Sequence, residues 1–299
     1  MVGVISFPFG GSIYYKTETA YNDGGTSSEH RISDIVTDAR IETGDVNTEL
    51  RSISSPSIVD FSRTMTNPTL HVEWVYQPHA NSLASHCIER TDCDLDSLSF
   101  EVGVNTCSSS SDAFYSLTGC KCTSFTISAS QGENWTCSAD FSVASCTTDS
   151  SASFTDPGAI GTDYATFNTA GSITWTNAGT YDGAYVTNSF SITVNNNISD
   201  YFDVGNIVKK AAIPGARDIT GTCDISIDNG GKILWDDIIG GVDITSIVFN
   251  SGRTTGDYGT ITLGSGRFDS GSIDVNTSGE GMISSVPFTF EEITLSTGT

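Results

Sequence analysis

Positive charge is the scarcest thing in this chain of 299 residues. Thirteen Lys and Arg stand against 36 Asp and Glu, a formal net charge of −23. Lysine occurs only at Lys16, Lys121, Lys209, Lys210 and Lys232. A surface that grips nucleic acid needs clustered cations to neutralise phosphates, so binding of that kind is excluded. An anionic membrane surface is disfavoured for the same reason. Charged residues make up only 16% of the chain, so the acidity reflects missing Lys and Arg rather than an acidic tail. Long apolar runs are missing too. Nothing approaches the roughly 18 residues that a membrane helix needs, and the opening MVGVISFPFGGS has no basic stretch leading into an apolar one. These absences predict a protein made and kept in a host cytoplasm until release, with no membrane partner.

Catalytic motifs are a further absence. No phosphate-cradling loop ends in Gly-Lys-Ser/Thr, and HExxH, a nucleophile elbow and a dinucleotide fingerprint are all missing. Asp236–Asp237 and Glu291–Glu292 are adjacent acids of the kind expected by chance among 36, with no His or Arg beside them. His86, Cys87 and Cys93 lack the paired CxxC spacing of a zinc site. The run Asp92–Asp96 opens like a calcium loop, but Ser97 stands where the turn glycine belongs and Gly103 where the closing Glu belongs. No enzyme, cofactor or metal is expected. His71 alternates with Leu70 and Val72 and reads as an outward strand residue. The eight cysteines, in a chain large enough to fold without staples, read as buried or half-buried thiols.

What is present is β chemistry. Ser189–Asn197, Asp218–Ile227, Asp243–Asn250 and Tyr258–Gly264 alternate apolar and polar residues with period two, between clusters of Gly, Asn and Asp. Fifteen Phe, 10 Tyr and 4 Trp suffice for a core. Helical periodicity appears only at Ala80–Glu89 and Gly231–Ile239. Ala144–Gly171, rich in Ser, Thr, Asp and Gly, reads as a linker.

The chain also matches itself. Shifted by 147 positions, Gly119–Val143 lies without gaps on Gly266–Phe290, so that Gly119 meets Gly266, Gly132–Glu133 meets Gly279–Glu280, and Phe141 meets Phe288. A shift of 154 brings Arg63 and Thr66 onto Arg217 and Thr220. The expectation is two tandem antiparallel β-sandwich or barrel units, 1–146 and 170–299, joined by a linker over 147–169, each with one short helix. Gly132 and Gly279 supply the positive φ of two closing hairpin turns, with Glu133 and Glu280 beside them. In the first hairpin, Phe125, Ile127 and Ala129 should share a core face with Trp135, Cys137 and Phe141, leaving Cys120 and Cys122 on the other face.

The order of these pieces is similar to that of the tail tube (major tail) proteins of tailed viruses of bacteria and archaea. The strand Thr69–Gln77, a short helix, the strand Asp96–Val104 and then Gly119–Ser145 carry the resemblance. Within the last segment lie a Gly-x-Lys strand, a Ser-x-Thr-Ile-Ser strand, a Gly-Glu turn and a strand ending in an aromatic. Ser189–Phe202 and Pro214–Ile227 continue it. The resemblance implies a virion structural protein whose copies join edge to edge into rings with a ring-wide barrel, stacked into a conduit for double-stranded DNA that passes without specific binding. It implies as partners the chain itself, a tape measure protein in the lumen, and tail-tip or baseplate and tail-terminator proteins. A duplicated unit favours rings of three copies over six. An acidic lumen suits a DNA conduit, and few Lys with 25 Asp and 11 Glu also suits a haloarchaeal host. The competing reading is a secreted or surface β-sandwich, an adhesin or carbohydrate-binding module. Within the tube reading, the long loops Thr43–Ser57 and Asn197–Ala211 are expected to join stacked rings, the second through Tyr201, Phe202, Val204, Lys209 and Lys210.

Overall fold

Period-two alternation becomes sheet almost wherever the fold is described. A computed structural model describes residues 4–6, 11–25, 27–44, 47–51, 58–63, 66–79, 82–91, 93–104, 113–160, 164–167, 172–177, 187–226, 239–251, 258–269 and 283–298. Strands β1 (Val4–Ser6), β2 (Ser12–Thr17), β3 (His30–Arg31) and β4 (Val36–Glu42) precede a hairpin of β5 (Asn47–Arg51) and β6 (Ile58–Arg63). Next come β7 (Thr69–Val75), helix α1 (Leu83–Ile88), and the short pair β8 (Arg90–Thr91) and β9 (Asp94–Leu95). These lead into β10 (Leu98–Val104), β11 (Ala113–Ser130), β12 (Thr136–Ser142) and β13 (Ser145–Asp149). The remainder carries β14 (Ser172–Asn177), β15 (Thr187–Asn195) and a second hairpin of β16 (Ser199–Phe202) and β17 (Lys209–Ile213). It ends with β18 (Asp218–Ser226), β19 (Asp243–Asn250), β20 (Tyr258–Phe268) and β21 (Ile283–Gly298).

The protein is mainly β, and its fold is that of an antiparallel β-sandwich. One 15-stranded sheet runs β1-β4-β7-β12-β11-β15-β18-β21-β20-β19-β14, with β10, β13, β2 and β3 branching from β11. The branch point is a bend in β11. Its first part, Ala113–Cys120, pairs with β10 and β13, whereas Lys121–Ser130 pairs with β12 and β15. Gly119 sits at the bend with φ +63°, and a Cβ there would come within 2.6 Å of the Ala144 Cβ, so only glycine fits. The two layers this creates close on each other through Phe100 of β10 and Phe141 of β12, ring centroids 4.9 Å apart.

The pairing order recurs along the chain. β4-β7-β12 lie side by side in one part, and β15-β18-β21 lie side by side in the other. A bulge falls between Val36 and Asp38 opposite Trp74 and Glu73, and another between Thr187 and Ser189 opposite Ile225 and Asp224. Both strands of each pair are therefore related by 151 residues, and Leu70↔Phe141 against Gly221↔Phe288 extends the match at 147. The register thus replaces the shift of 154 read from Arg63 and Thr66.

Several expectations change on contact with the fold. Where described, neither Thr43–Ser57 nor Asn197–Ala211 is an open loop: β5 within the first pairs with β6, and the second carries most of the β16–β17 hairpin. An excursion of that length leaves backbone groups that pair most readily with each other. Cys120 and Cys122 are buried, not outward, because a bulge between Cys122 and Ser124 resets the alternation and α1 packs over β11. α1 covers Leu83–Ile88 inside the expected span and buries Leu83, Ala84, Cys87 and Ile88. Of the second expected helix, all but Ile239 lies outside the described residues, as do Gly279 and Glu280. The 147–169 stretch is strapped down where described. Asp156 meets Arg31 at 2.8 Å, Glu101 accepts from the amides of Ser153 and Phe154, and Trp135 N–H donates to the Ala165 carbonyl.

Candidate functional site

The chemistry of this molecule lies on a sheet face and at sheet edges. Along β4, β7, β12, β11, β15, β18 and β21, alternate residues turn inward to form the core, and the others form one outer wall. Inward, the row Ala39, Val72, Ala139, Phe125, Val194, Ile219 and Phe290 crosses all seven strands, and every member is buried. Outward, the row one residue away reads Asp38, Glu73, Ser138, Thr126, Thr193, Thr220 and Thr289. The next outward row reads Arg40, His71, Asp140, Ser124, Asn195 and Asp218. Strand geometry alone dictates this split of apolar and polar faces.

The wall is hydroxylated and acidic. The Thr126 and Thr193 hydroxyls lie 3.1 Å apart, Ser124 Oγ donates to Asp140 at 2.7 Å, and Ser189 Oγ donates to Asp224 at 2.6 Å. Asp38, Glu42, Glu73, Asp140, Asp218 and Asp224 face outward against Arg40 and half-buried His71. His71 Nδ1 lies 2.7 Å from Asp140 Oδ1, and its Nε2 lies 3.4 Å from Glu73 Oε1. Partial burial pushes the imidazole pKa down, but the hydrogen bonds and charges of Asp140 and Glu73 outweigh it and hold the pKa above the ordinary histidine value.

The β11·β15 pair is where the two recurring sets of strands meet. Seven rungs run from Ser124↔Asn195 to Ser130↔Ser189. Beneath them Trp135 packs edge-on against Phe190 at 5.3 Å, and Phe190 against Phe249 at 4.7 Å. Buried Asn196 closes one end of this seam. Its Nδ2 donates to the Cys87 and Cys122 carbonyls, while its own amide oxygen accepts from Arg90 at 3.0 Å. Arg217 in turn donates to the Ile88 carbonyl at the end of α1 at 2.7 Å. The side-chain amide of buried Asn196 is thereby satisfied across the joint.

The β16–β17 hairpin crosses the same seam and docks on β12. Lys209, 1% exposed, places its ammonium 2.9 Å from Asp200 and also donates to Ser142 Oγ, which donates to Asp200 at 2.9 Å. Burial lowers the Lys209 pKa, and Asp200 opposes that shift. Lys209 is therefore committed within the chain, a role that its place among the five lysines did not reveal. Lys210 is exposed and pairs with Asp203 at 2.8 Å. Tyr201, Val204, Ile207 and Ile213 leave large apolar surface in water, Phe202 is half-buried, and the turn of the hairpin accepts from the Thr66 amide through the Ile207 carbonyl. Four exposed apolar side chains thus lie on one hairpin.

The remaining residues of interest are dispersed. His86 pairs with Asp96 at 2.7 Å, Cys87 points into the core, and Cys93 is exposed on a turn at φ +67°. The seven cysteines among the described residues are unpaired, and burial pushes the thiols of Cys87, Cys120, Cys137 and Cys223 well above their ordinary value. Gly132 has φ +84° at the β11–β12 turn, and Glu133 N–H closes that turn on the Ser130 carbonyl.

The features of this face are a polar wall over an apolar core, a sheet that continues through a joint, and a hairpin with exposed apolar side chains. No curated protein sequence matches the chain. The family model described as phage tail tube protein matches residues 10–291, and with nearly its whole length covered the chain belongs to the phage tail tube proteins.

Proposed function

We propose that this chain is the repeating subunit of a virion tail tube, in which copies join through sheet edges into rings and the rings stack around a passage for double-stranded DNA. The observation that carries the reading is the β11·β15 seam. There two sandwich-like sets of strands continue one sheet, with the acidic, hydroxylated wall running unbroken across the joint. Repeated between copies, that joint closes a barrel with the wall facing inward and leaves no free edge. Asp38, Glu73, Asp140, Asp218 and Asp224 then line the lumen, where like charge keeps the duplex from adhering. With Glu42 they make six outward acids against one arginine, which suits passage and does not suit grip.

The tandem-unit reading, 1–146 and 170–299, is supported by the recurring pairing order and the matched bulges. It makes each chain two-sixths of a pseudo-six-fold ring, so three copies close it. The β16–β17 hairpin, with Tyr201, Phe202, Val204 and Lys210 at its surface, is the element we assign to contacts between rings. The tape measure protein, the tail tip and the tail terminator are the remaining partners of this reading, and the role is structural rather than enzymatic. Negative-stain microscopy with symmetry averaging tests it. Three-fold rings or hollow tubes are expected, and a chain that stays monomeric at high concentration under all tube-forming conditions refutes it.

A further inference from the structure

The edge of β4 that faces away from β7 is not bare. β1 lies along it with Val4↔Glu42, Ile5↔Ile41 and Ser6↔Arg40. The matched bulges equate Ile41 with Ile192, Arg40 with Ser191 and Glu42 with Thr193. On β15 those three positions pair with Ile127, Ser128 and Thr126. β1 therefore occupies, on β4, the rungs that Thr126–Ser128 occupy on β15, in the same antiparallel sense. The sequences correspond as well. Val4-Ile5-Ser6 stands for Thr126-Ile127-Ser128, and each isoleucine is followed five residues later by glycine, Gly10 and Gly132.

We infer that β1 is an internal stand-in for a neighbouring copy of this chain: it covers the ring-closing edge of β4 in the free subunit and is displaced when a second copy pairs there. The inference rests on the proposed ring assembly. An exposed strand edge templates uncontrolled pairing, and covering it with the chain's own segment is one way to prevent that. A three-rung cover can be displaced, because the seam inside the chain shows that a full joint at this edge supplies seven rungs. Strand addition at a vacated edge is the general mode by which such a surface takes a partner. β1 then acts as a threshold. The free chain resists pairing in solution, and an edge already presented by a growing ring competes β1 away.

The test measures amide hydrogen exchange on the full chain before and after assembly, together with assembly thresholds for two variants. One variant lacks residues 2–7, and the other carries Ile5→Pro, which removes a backbone N–H from β1. The inference expects amides of residues 4–6 to be protected in the free chain and exposed in the tube, while those of residues 40–42 stay protected in both. It also expects both variants to assemble with a shorter lag. If β1 is closed in about nine-tenths of free chains, the concentration at which light scattering appears falls roughly tenfold. Protection of residues 4–6 that persists in the tube overturns the inference, as does an unchanged or raised threshold in a variant with the native circular dichroism spectrum. The exchange measurement on the unaltered chain stands if the variants fail to fold. Failure of the full chain and both variants to form rings under any condition instead refutes the ring reading itself.

Discussion

Lys209 gives the sharpest test of how the second hairpin is held. Its ammonium is sealed from water by the body of the molecule, with Asp200 and Ser142 as its hydrogen-bond partners, while the Asp200 carboxylate keeps 23% of its side-chain surface in solvent. The two partners are therefore not equivalent. Asp200→Ala strands a buried cation, and removing one partner of a buried pair costs about 3–5 kcal/mol. Lys209→Met removes the cation itself, fills the channel with a stem of similar volume, and leaves a carboxylate that water and Ser142 still satisfy. Replacing the charged member in this way costs about 1 kcal/mol or less.

The double variant Lys209→Met/Asp200→Ala should fall close to Lys209→Met alone, since nothing is then left unpaired. Urea unfolding followed by tryptophan fluorescence measures all three against the parent. Each kcal/mol should shift a thermal midpoint by roughly 2 °C in a chain of this size. Lys209→Met as costly as Asp200→Ala, or Asp200→Ala within about 1 kcal/mol of the parent, would refute the account of a buried cation held by one carboxylate.

His71 should titrate above the ordinary histidine value of about 6.5 in the free subunit, and Asp140→Asn should lower its midpoint in a two-dimensional NMR titration. A raised folded pKa means that its contribution to stability is complete below the unfolded pKa and is lost as pH rises through the folded one. Gly44→Ala should destabilise by about 2–3 kcal/mol, because φ is +55° and the new Cβ would fall 1.9 Å from the Asn67 carbonyl oxygen. Gly132→Ala, at φ +84° with open space around it, should cost only about 1 kcal/mol; equal unfolding midpoints for the two would overturn the distinction. Phe190→Ala, which empties the centre of the seam between Trp135 and Phe249, should cost about 3–5 kcal/mol in the same urea assay. Tyr201→Ser with Val204→Ser should leave subunit stability within about 0.5 kcal/mol yet shorten or abolish tubes seen by electron microscopy. Tubes of normal length and heat resistance would remove this hairpin from the ring–ring contact.

How much of this was legible in the residues depended on burial. Asp243–Asn250 is β19 to the residue, and the strands read at Ser189–Asn197, Asp218–Ile227 and Tyr258–Gly264 are β15, β18 and β20 with ends moved by a few positions. Each has one face sealed against the core, so the apolar residues must recur every second position. The two hairpins were not legible as strands. β16–β17 carries Tyr201, Val204, Ile207 and Ile213 outward and Lys209 and Ala212 inward, the inverse of the pattern that marks a strand against its own core. The side that faces β12 holds the Lys209–Asp200–Ser142 contacts, so the polar residue lies inward and the larger apolar ones outward. The buried positions of Cys120 and Cys122 depend on one bulge, a feature with no signature in composition or period. The acidic wall was legible only as net charge. Which acids share a face follows from register across seven strands, and register joins residues as far apart as Asp38 and Thr220.

The cis seam also bears on why a tube subunit would carry two sets of strands in one chain. Every joint between separate chains must overcome lost translational and rotational freedom, whereas a joint within a chain forms at a local concentration set by its connection. Where described, the connection here is tied down. Residues 150–160 run over the first set of strands, tied by Asp156 to Arg31 and by Ser153 and Phe154 to Glu101, before the backbone pairs with Tyr76, Glu133 and Trp135 at 164–167. In the proposed six-part ring, a joint already made within each chain at β11·β15 would leave only half of the joints to form between chains. The other half then depend on the β4 edge alone. A threshold device such as β1 is useful at that edge and would serve no purpose at the seam, where no second chain has to be admitted.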